Sequence, residues 1–95
     1  MKQLLNKDYN YFDPEVWKTR TDKRKYFVRY ILKNNFLTGL SEDDVIQNLG
    51  YDRQIFMDKE VWSYSLGNSQ GEYLLVYFKN HRVCKLTKTS SKKIY

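Results

Sequence analysis

One stretch of the chain decides the fold: GLSEDDVIQNLG at residues 39–50, followed by EVWSYSLGNSQGEYLLVYFKNHRVCKL at residues 60–86. The first segment predicts one short helix with clear signals at both ends. The second predicts three strands in a row, at Glu60–Leu66, Glu72–Lys79 and Arg82–Thr87. Because short turns join these strands, we expect them to pair in sequence order and antiparallel.

The helix over residues 41–49 has a recognisable start and end. Ser41 is placed to cap its first turn, and Asp44 stands at the third helical position, as in a weaker form of the capping box. Leu40 can contact Val45 and so staple the entering chain to the helix. Gly50 suits the left-handed conformation that often ends a helix. The expected buried stripe is Val45, Ile46 and Leu49.

The strands predict a sheet that is apolar on both faces. Asn80 and His81 form a tight turn, so Phe78 should pair with Val83. Alternation along each strand then assigns the side chains to two faces. The face expected to meet the helices carries Trp62, Tyr64, Leu66, Leu74, Val76, Phe78 and Val83. The opposite face is expected to carry Tyr73, Leu75, Tyr77, Cys84 and Leu86.

Two further helical segments are predicted before this stretch. Asp13 and Pro14 start a short helical turn, because aspartate caps well and proline suits the first helical position. A longer helix is expected over residues 22–34, capped by Thr21 or Asp22. Its buried face is expected to hold Phe27, Tyr30, Ile31 and Asn34, with Tyr26 beside them.

These elements predict an α+β fold. Two main helices pack on one face of a three-stranded antiparallel meander, in the order ααβββ, with a short extra N-terminal helical turn. Residues 51–59 are expected to form a polar loop that contains the triplet Ile55-Phe56-Met57. Residues 1–88 are expected to be a single domain, and residues 89–95 a flexible basic C-terminal tail.

A family resemblance rests on a pattern of cap, helix, glycine and alternating strands. The matching residues are Gly39-Leu40-Ser41, Asp44-Val45-Ile46, Leu49-Gly50, Trp62-Ser63-Tyr64, Leu74-Leu75-Val76-Tyr77-Phe78 and Val83. This half of the chain resembles the SmpA/BamE-like family of small outer-membrane assembly lipoproteins and the β-lactamase-inhibitor-protein fold that the family shares. The resemblance implies helices on one face of a meander and a function in binding other proteins. The family's signal sequence and lipid-modified cysteine are not expected here, since Cys84 falls in the last predicted strand.

The composition is that of a small basic domain. The 95 residues are 41% hydrophobic and carry a formal net charge of +6. A basic balance favours nucleic acid, anionic lipid or an acidic protein as partner. The longest apolar run, Tyr73–Phe78, is too short to cross a bilayer, so we expect no membrane insertion. The single cysteine cannot form an internal disulfide, and we expect a cytoplasmic protein.

The sequence shows no catalytic or metal-binding constellation. One histidine, His81, and one cysteine, Cys84, do not make a zinc-type ligand set or an obvious nucleophile–base pair. Asp43 and Asp44 are expected to stabilise the start of a helix rather than to chelate a cation. The glycines are scattered and form no phosphate-binding loop. We therefore expect neither enzymatic activity nor a cofactor.

The outer side of the sheet bears most directly on function. Two helices can cover only one face, so Tyr73, Leu75 and Tyr77 need another cover. A protein partner, favoured by the charge to be acidic, or a second copy of the chain would provide it. In the alternative, the N-terminal segment folds over this face with Tyr9, Tyr11, Phe12 and Trp17. The expected function is protein binding, as an inhibitor, immunity protein or adaptor.

The rival hypothesis is a small basic nucleic-acid-binding protein. Lys25, Arg29 and Lys33 are spaced four residues apart and share one face of the predicted helix, with Arg24 beside them. Such a stripe could follow a phosphate backbone while neighbouring tyrosines stack on bases, and the basic tail would add contacts. The chain shows no known nucleic-acid-binding module, so the sequence favours protein binding.

Overall fold

The computed structural model describes residues 11–67 and 71–90. Three helices come first in these ranges: α1 at Pro14–Thr19, α2 at Arg24–Asn34 and α3 at Glu42–Leu49, with a 3-10 turn at Thr21–Lys23 before α2. Four strands follow: β1 at Gln54–Phe56, β2 at Val61–Ser65, β3 at Glu72–Lys79 and β4 at Arg82–Ser90. They form one antiparallel sheet in the order β1-β2-β3-β4.

The α+β class is confirmed, but the prediction of a three-stranded sheet is wrong. In the part of the chain that the structure describes, β1 adds a fourth strand, and its Phe56 pairs with Val61 of β2. This strand lies inside the segment expected to be a loop. Three residues are too few to show alternation, and the turn that follows contains neither glycine nor asparagine. Met57, Asp58 and Lys59 instead take left-handed φ angles of 51°, 56° and 75°.

The pairing predicted for the other strands is confirmed. β2 pairs with β3, and β3 pairs with β4, in both cases antiparallel. Asn80 and His81 have φ angles of 55° and 66°, as a tight two-residue turn requires. Lys79 and Arg82 face each other across that turn.

β4 runs beyond the end predicted for it. It was expected to end at Thr87, and it ends at Ser90. Thr89 faces Tyr73 of β3, so the first residues assigned to the tail belong to the sheet. Residues 91–95, the rest of that tail, lie outside the described residues.

β4 also contains a register shift that changes which face its side chains occupy. After Val83 the register moves by one residue, so that Tyr77 faces Lys85 and Cys84 has no opposite residue. An extra residue of this kind is a β-bulge, and it reverses the alternation beyond it. Leu86 therefore packs against the core. The prediction that Leu86 lies on the opposite face is wrong.

The ends of α3 agree with the signals in the sequence. The Ser41 hydroxyl oxygen accepts a hydrogen bond of 3.2 Å from the Asp44 backbone N–H. Gly50 follows the last helical residue, Leu49, with a φ of 85°, a conformation that glycine adopts without strain. A Cβ atom at this position would also lie 3.2 Å from Lys18 Cγ. The cap is therefore confirmed, and Gly50 ends the helix with a positive φ, but its ψ of −175° differs from the left-handed helical conformation that was expected.

α2 differs from its prediction at its start and on its buried face. Thr21 and Asp22 lie in the 3-10 turn, and no side chain of the described residues caps α2. The Asp22 carboxylate instead accepts hydrogen bonds from Arg20. Tyr30 is half-buried and Asn34 is exposed. The residues of α2 that contact the core therefore begin earlier in the helix than predicted. The buried residues of α2 are Arg24, Phe27, Val28 and Ile31.

The core lies between the helices and one face of the sheet. It contains every residue that the sequence assigned to that face: Trp62, Tyr64, Leu66, Leu74, Val76, Phe78 and Val83. The helices contribute Trp17, Phe27, Val28, Ile31, Val45 and Leu49. The helices thus cover one face together, and the other face of the sheet lies outside this core.

Leu49→Ala should destabilise the protein more than Ser41→Ala. Leu49 is fully buried, so its truncation leaves a cavity and should cost about 2–5 kcal/mol. Removing the Ser41 cap should cost about 1 kcal/mol. Urea denaturation of both variants measures the two losses. A larger loss for Ser41→Ala would contradict the place of Leu49 in the core.

Candidate functional site

The outer face of the sheet, which is turned away from the helices, carries a groove of about 460 Å³. The groove forms because alternate residues of β3 face away from the core. Side chains from every strand of the described sheet, and from the β1–β2 turn, line it. These residues, which define the outer groove, are Gln54, Phe56, Met57, Val61, Ser63, Tyr73, Leu75, Tyr77 and Thr89.

The structure brings together most of the predicted binding residues. Tyr73, Leu75 and Tyr77 lie side by side in the outer groove, and each is half-buried. Cys84 is exposed and lines a smaller cavity of about 350 Å³. Tyr77 lines this cavity as well. Leu86 is the exception, because the register shift in β4 turns it to the core.

β1 and its turn add a wall that the sequence interpretation missed. Phe56 is 47% exposed and Met57 is 71% exposed, and both line the outer groove. Val61 and Ser63, on the neighbouring strand, are each only 6% exposed. The groove therefore has a buried floor and an exposed apolar rim. The signal available in the sequence was the apolar triplet Ile55-Phe56-Met57 within a polar segment.

The described part of the N-terminal segment does not cover the outer face. Phe12 and Tyr11 both pack against Phe27 of α2, with ring centroids 5.4 and 6.0 Å from the Phe27 ring. Trp17 is fully buried in the core. The hypothesis that these three aromatic residues fold over the outer face is therefore wrong. Tyr9 lies outside the described residues.

Basic side chains flank one end of the outer groove. The Lys85 ammonium lies 5.2 Å from the centre of the Tyr77 ring, a distance at which the ring attracts a cation. Lys79 lines the adjoining cavity together with Glu60, the one carboxylate among its described lining residues. This end of the groove therefore offers a partner both an aromatic surface and positive charge.

Arg24 belongs to the core and not to the basic surface on which the sequence interpretation placed it. Only 1% of this residue is exposed. Its Nε donates to the Trp17 carbonyl oxygen at 2.8 Å, and its Nη1 donates to that of Ser65 at 3.0 Å. Burial lowers the pKa of the guanidinium below its ordinary value, and the charge of Asp52 partly opposes that shift. A side chain enclosed in this way is not available to nucleic acid.

The remaining members of the predicted basic stripe are exposed on α2. They are Lys25, Arg29 and Lys33. Lys25 and Arg29 line a cavity of about 370 Å³ together with Lys88 of β4, and Lys33 does not line it. The Lys88 ammonium lies 3.5 Å from a carboxylate oxygen of Glu72. This cavity between α2 and β4, the basic cleft, lies on the helical side of the sheet.

Other polar groups have structural contacts. His81 Nδ1 lies 3.3 Å from Glu42 Oε2, which joins the β3–β4 turn to the start of α3. The described residues include no group of three or more His, Cys, Asp or Glu side chains that could hold a metal ion. The outer groove thus offers apolar and hydroxyl groups to a bound molecule, and the basic cleft offers positive charge.

The chain matches no model of a known protein family, no curated protein and no solved structure. The resemblance of residues 39–86 to the SmpA/BamE-like family therefore stays a prediction. Within residues 11–67 and 71–90, none of the helices has the length and apolar character needed to cross a membrane.

Arg24→Met should destabilise the fold strongly, whereas Arg20→Met should change its stability little. The first change leaves the buried Trp17 carbonyl without its donor and should cost about 2–4 kcal/mol. Arg20 is exposed and pairs with Asp22 at 3.2 Å, and exposed ion pairs add little stability. Urea denaturation compares the two variants. Equal stability would contradict the structural role of Arg24.

Proposed function

We propose that this protein is a protein-binding module that acts through the outer groove. Apolar side chains of a partner enter between the β1 wall, Phe56 and Met57, and the tyrosines of β3, Tyr73 and Tyr77. It would act as an inhibitor, an immunity protein or an adaptor, without catalysis. Its expected location is the cytoplasm. The observation that carries the proposal is a concave apolar face on the side of the sheet away from the helices.

The residue types of the outer groove support this proposal. Aromatic residues and methionine are enriched in the buried centres of protein interfaces. Phe56 and Met57 are 47% and 71% exposed, although apolar side chains gain by burial. Ser63 and Thr89 add hydroxyl groups that can fix the orientation of a bound segment. The groove therefore combines anchoring surface with hydrogen-bonding groups.

Charge supports an acidic partner. The formal net charge of the chain is +6, and Lys79 and Lys85 flank the Tyr77 end of the groove. Complementary charge speeds encounter and selects among partners. A second copy of this chain is the other protein that could fill the groove, but it would bring the same positive charges together.

Nucleic-acid binding is the second candidate function. Lys25, Arg29 and Lys33 are exposed on one side of α2, which is the observation that favours it. The burial of Arg24 removes one of the four side chains on which that hypothesis rested.

Tyr77→Asp should abolish partner binding and leave the protein folded. The half-buried position of Tyr77 keeps an aspartate in contact with water in the free protein, whereas a partner would desolvate it. Tyr51→Asp is the matched control, because Tyr51 is 75% exposed and lies outside the groove. Partners captured from nuclease-treated cell extract are purified and titrated by calorimetry. The expected loss of affinity is about 30-fold or more for Tyr77→Asp and small for Tyr51→Asp.

A second groove variant and an oligonucleotide assay separate the alternatives. Phe56→Asp alters the exposed rim and should also weaken binding without lowering the melting temperature. If a purified partner binds every variant equally, its site is elsewhere. If both groove variants lose their thermal transition, the outer face is part of the core. Oligonucleotide binding that falls steeply with salt and is lost in Lys25→Glu would favour the second function.

A further inference from the structure

We infer that the edge of β4 that faces away from β3 binds an extended, acidic segment of a partner protein, which adds to the sheet as a further strand beside Leu86 and Lys88. Acidic side chains of this segment would face the basic cleft. The inference rests on the proposed protein-binding function and goes beyond it, because it assigns a second contact on the strand edge rather than in the outer groove.

The beginning of β4 shows that this edge accepts another backbone. The Gly39 N–H donates to the Val83 carbonyl oxygen at 2.8 Å, and the Val83 N–H donates to the Leu40 carbonyl oxygen at 2.9 Å. Ser41 and Arg82 form an isolated antiparallel bridge next to these bonds. Over residues 84–89, no other described segment pairs its backbone with this edge. Among residues 11–67 and 71–90, the edge is therefore covered at its start and has no neighbouring strand beyond it.

The register shows which backbone groups point outward from this edge. The Phe78 N–H donates to the Glu60 carbonyl oxygen at 2.7 Å, on the β2 side of β3, and the Glu72 carbonyl accepts from the same side at 3.0 Å. The even-numbered residues of β3 therefore bond toward β2, and the odd-numbered ones bond toward β4. Leu86 and Lys88 face even-numbered residues of β3. Their N–H and C=O groups consequently point away from the sheet.

The charge beside this edge selects an acidic occupant. Lys25 and Arg29 of α2 and Lys88 of β4 line the basic cleft, in which Glu72 is the one carboxylate among the described lining residues. Leu32, which is 37% exposed, adds an apolar patch. An added strand presents alternate side chains to each side of the sheet. Its carboxylates on the helical side would lie beside Lys25 and Lys88.

Other occupants fit this edge less well. Phosphate groups accept hydrogen bonds and do not donate them, so contacts with a phosphate backbone would leave the outward carbonyls of Leu86 and Lys88 unpaired. A second copy carries the same formal net charge of +6, so an edge-to-edge pair would bring like charges together, which is unfavourable.

The test uses two end-capped peptides of equal length, one of alternating glutamate and valine and one of alternating lysine and valine. NMR spectra of the nitrogen-15-labelled chain follow the binding of each peptide. Amide hydrogen exchange then reports on Leu86 and Lys88. The glutamate peptide should slow exchange at these two amides about tenfold at ten times its Kd, because about a tenth of the protein stays unbound. The lysine peptide should not bind.

Two matched pairs of variants separate backbone pairing from charge. Lys88→Pro removes an outward N–H, which an edge strand tolerates, whereas Lys88→Ala removes only the charge. The proline variant should lose binding, and the alanine variant should weaken it about fivefold or less. Lys25→Glu reverses a charge inside the basic cleft, and Lys33→Glu makes the same change on α2 outside it. Only Lys25→Glu should weaken binding of the glutamate peptide.

Several outcomes would overturn the inference. Binding that survives Lys88→Pro but is lost in Tyr77→Asp would move the site to the outer groove and leave the proposed function intact. Failure of the glutamate peptide to bind at millimolar concentration would mean that the lysines only protect the edge from aggregation. Binding of oligonucleotides with neither peptide bound would assign the cleft to nucleic acid. Peptide binding that is unaffected by Tyr77→Asp would support a binding site at the edge of β4, even if no partner used the outer groove.

Discussion

The burial of Trp17 holds the helical layer to the sheet, and the rest of the structure depends on it. Its indole N–H donates to the Leu49 carbonyl oxygen at 3.2 Å and so ties α1 to the end of α3. Its own carbonyl accepts from Arg24 of α2, whose guanidinium continues to Ser65 of β2. Tyr64 meets the indole ring edge-on, with centroids 6.2 Å apart. One aromatic residue therefore joins the described helices to a single face of the sheet.

Because the helices pack on that face, the shape of the outer face is formed by its own side chains and by β1 with the turn that follows it. Phe56 and Met57 rise at one side of the outer groove. The register shift at Cys84 then divides β4, since it turns Leu86 into the core and leaves Lys85 beside the groove. The residues that form the core and those that line the outer groove are thereby different residues of the same strands, so a substitution in one set can leave the other intact.

The sequence by itself determined the elements whose signals are local. The cap at Ser41, the positive φ at Gly50 and the tight turn at residues 80–81 involve groups only a few positions apart, so residue type alone indicates them. Alternation along β2 and β3 identified the core face correctly, because period two is a property of any strand. The same alternation placed three of the groove residues on the opposite face: Tyr73, Leu75 and Tyr77.

Only the tertiary structure decided β1, the burial of Arg24 and the side occupied by Leu86. β1 is too short to have a pattern of its own, and its pairing with β2 holds it in place. A charged side chain is expected in solvent because its burial is costly. Arg24 is buried because the fold brings two carbonyl acceptors to it, one from Ser65, 41 positions away. Leu86 changed sides because the bulge shifts the pairing between strands, and pairing of that kind exists only once the strands have come together.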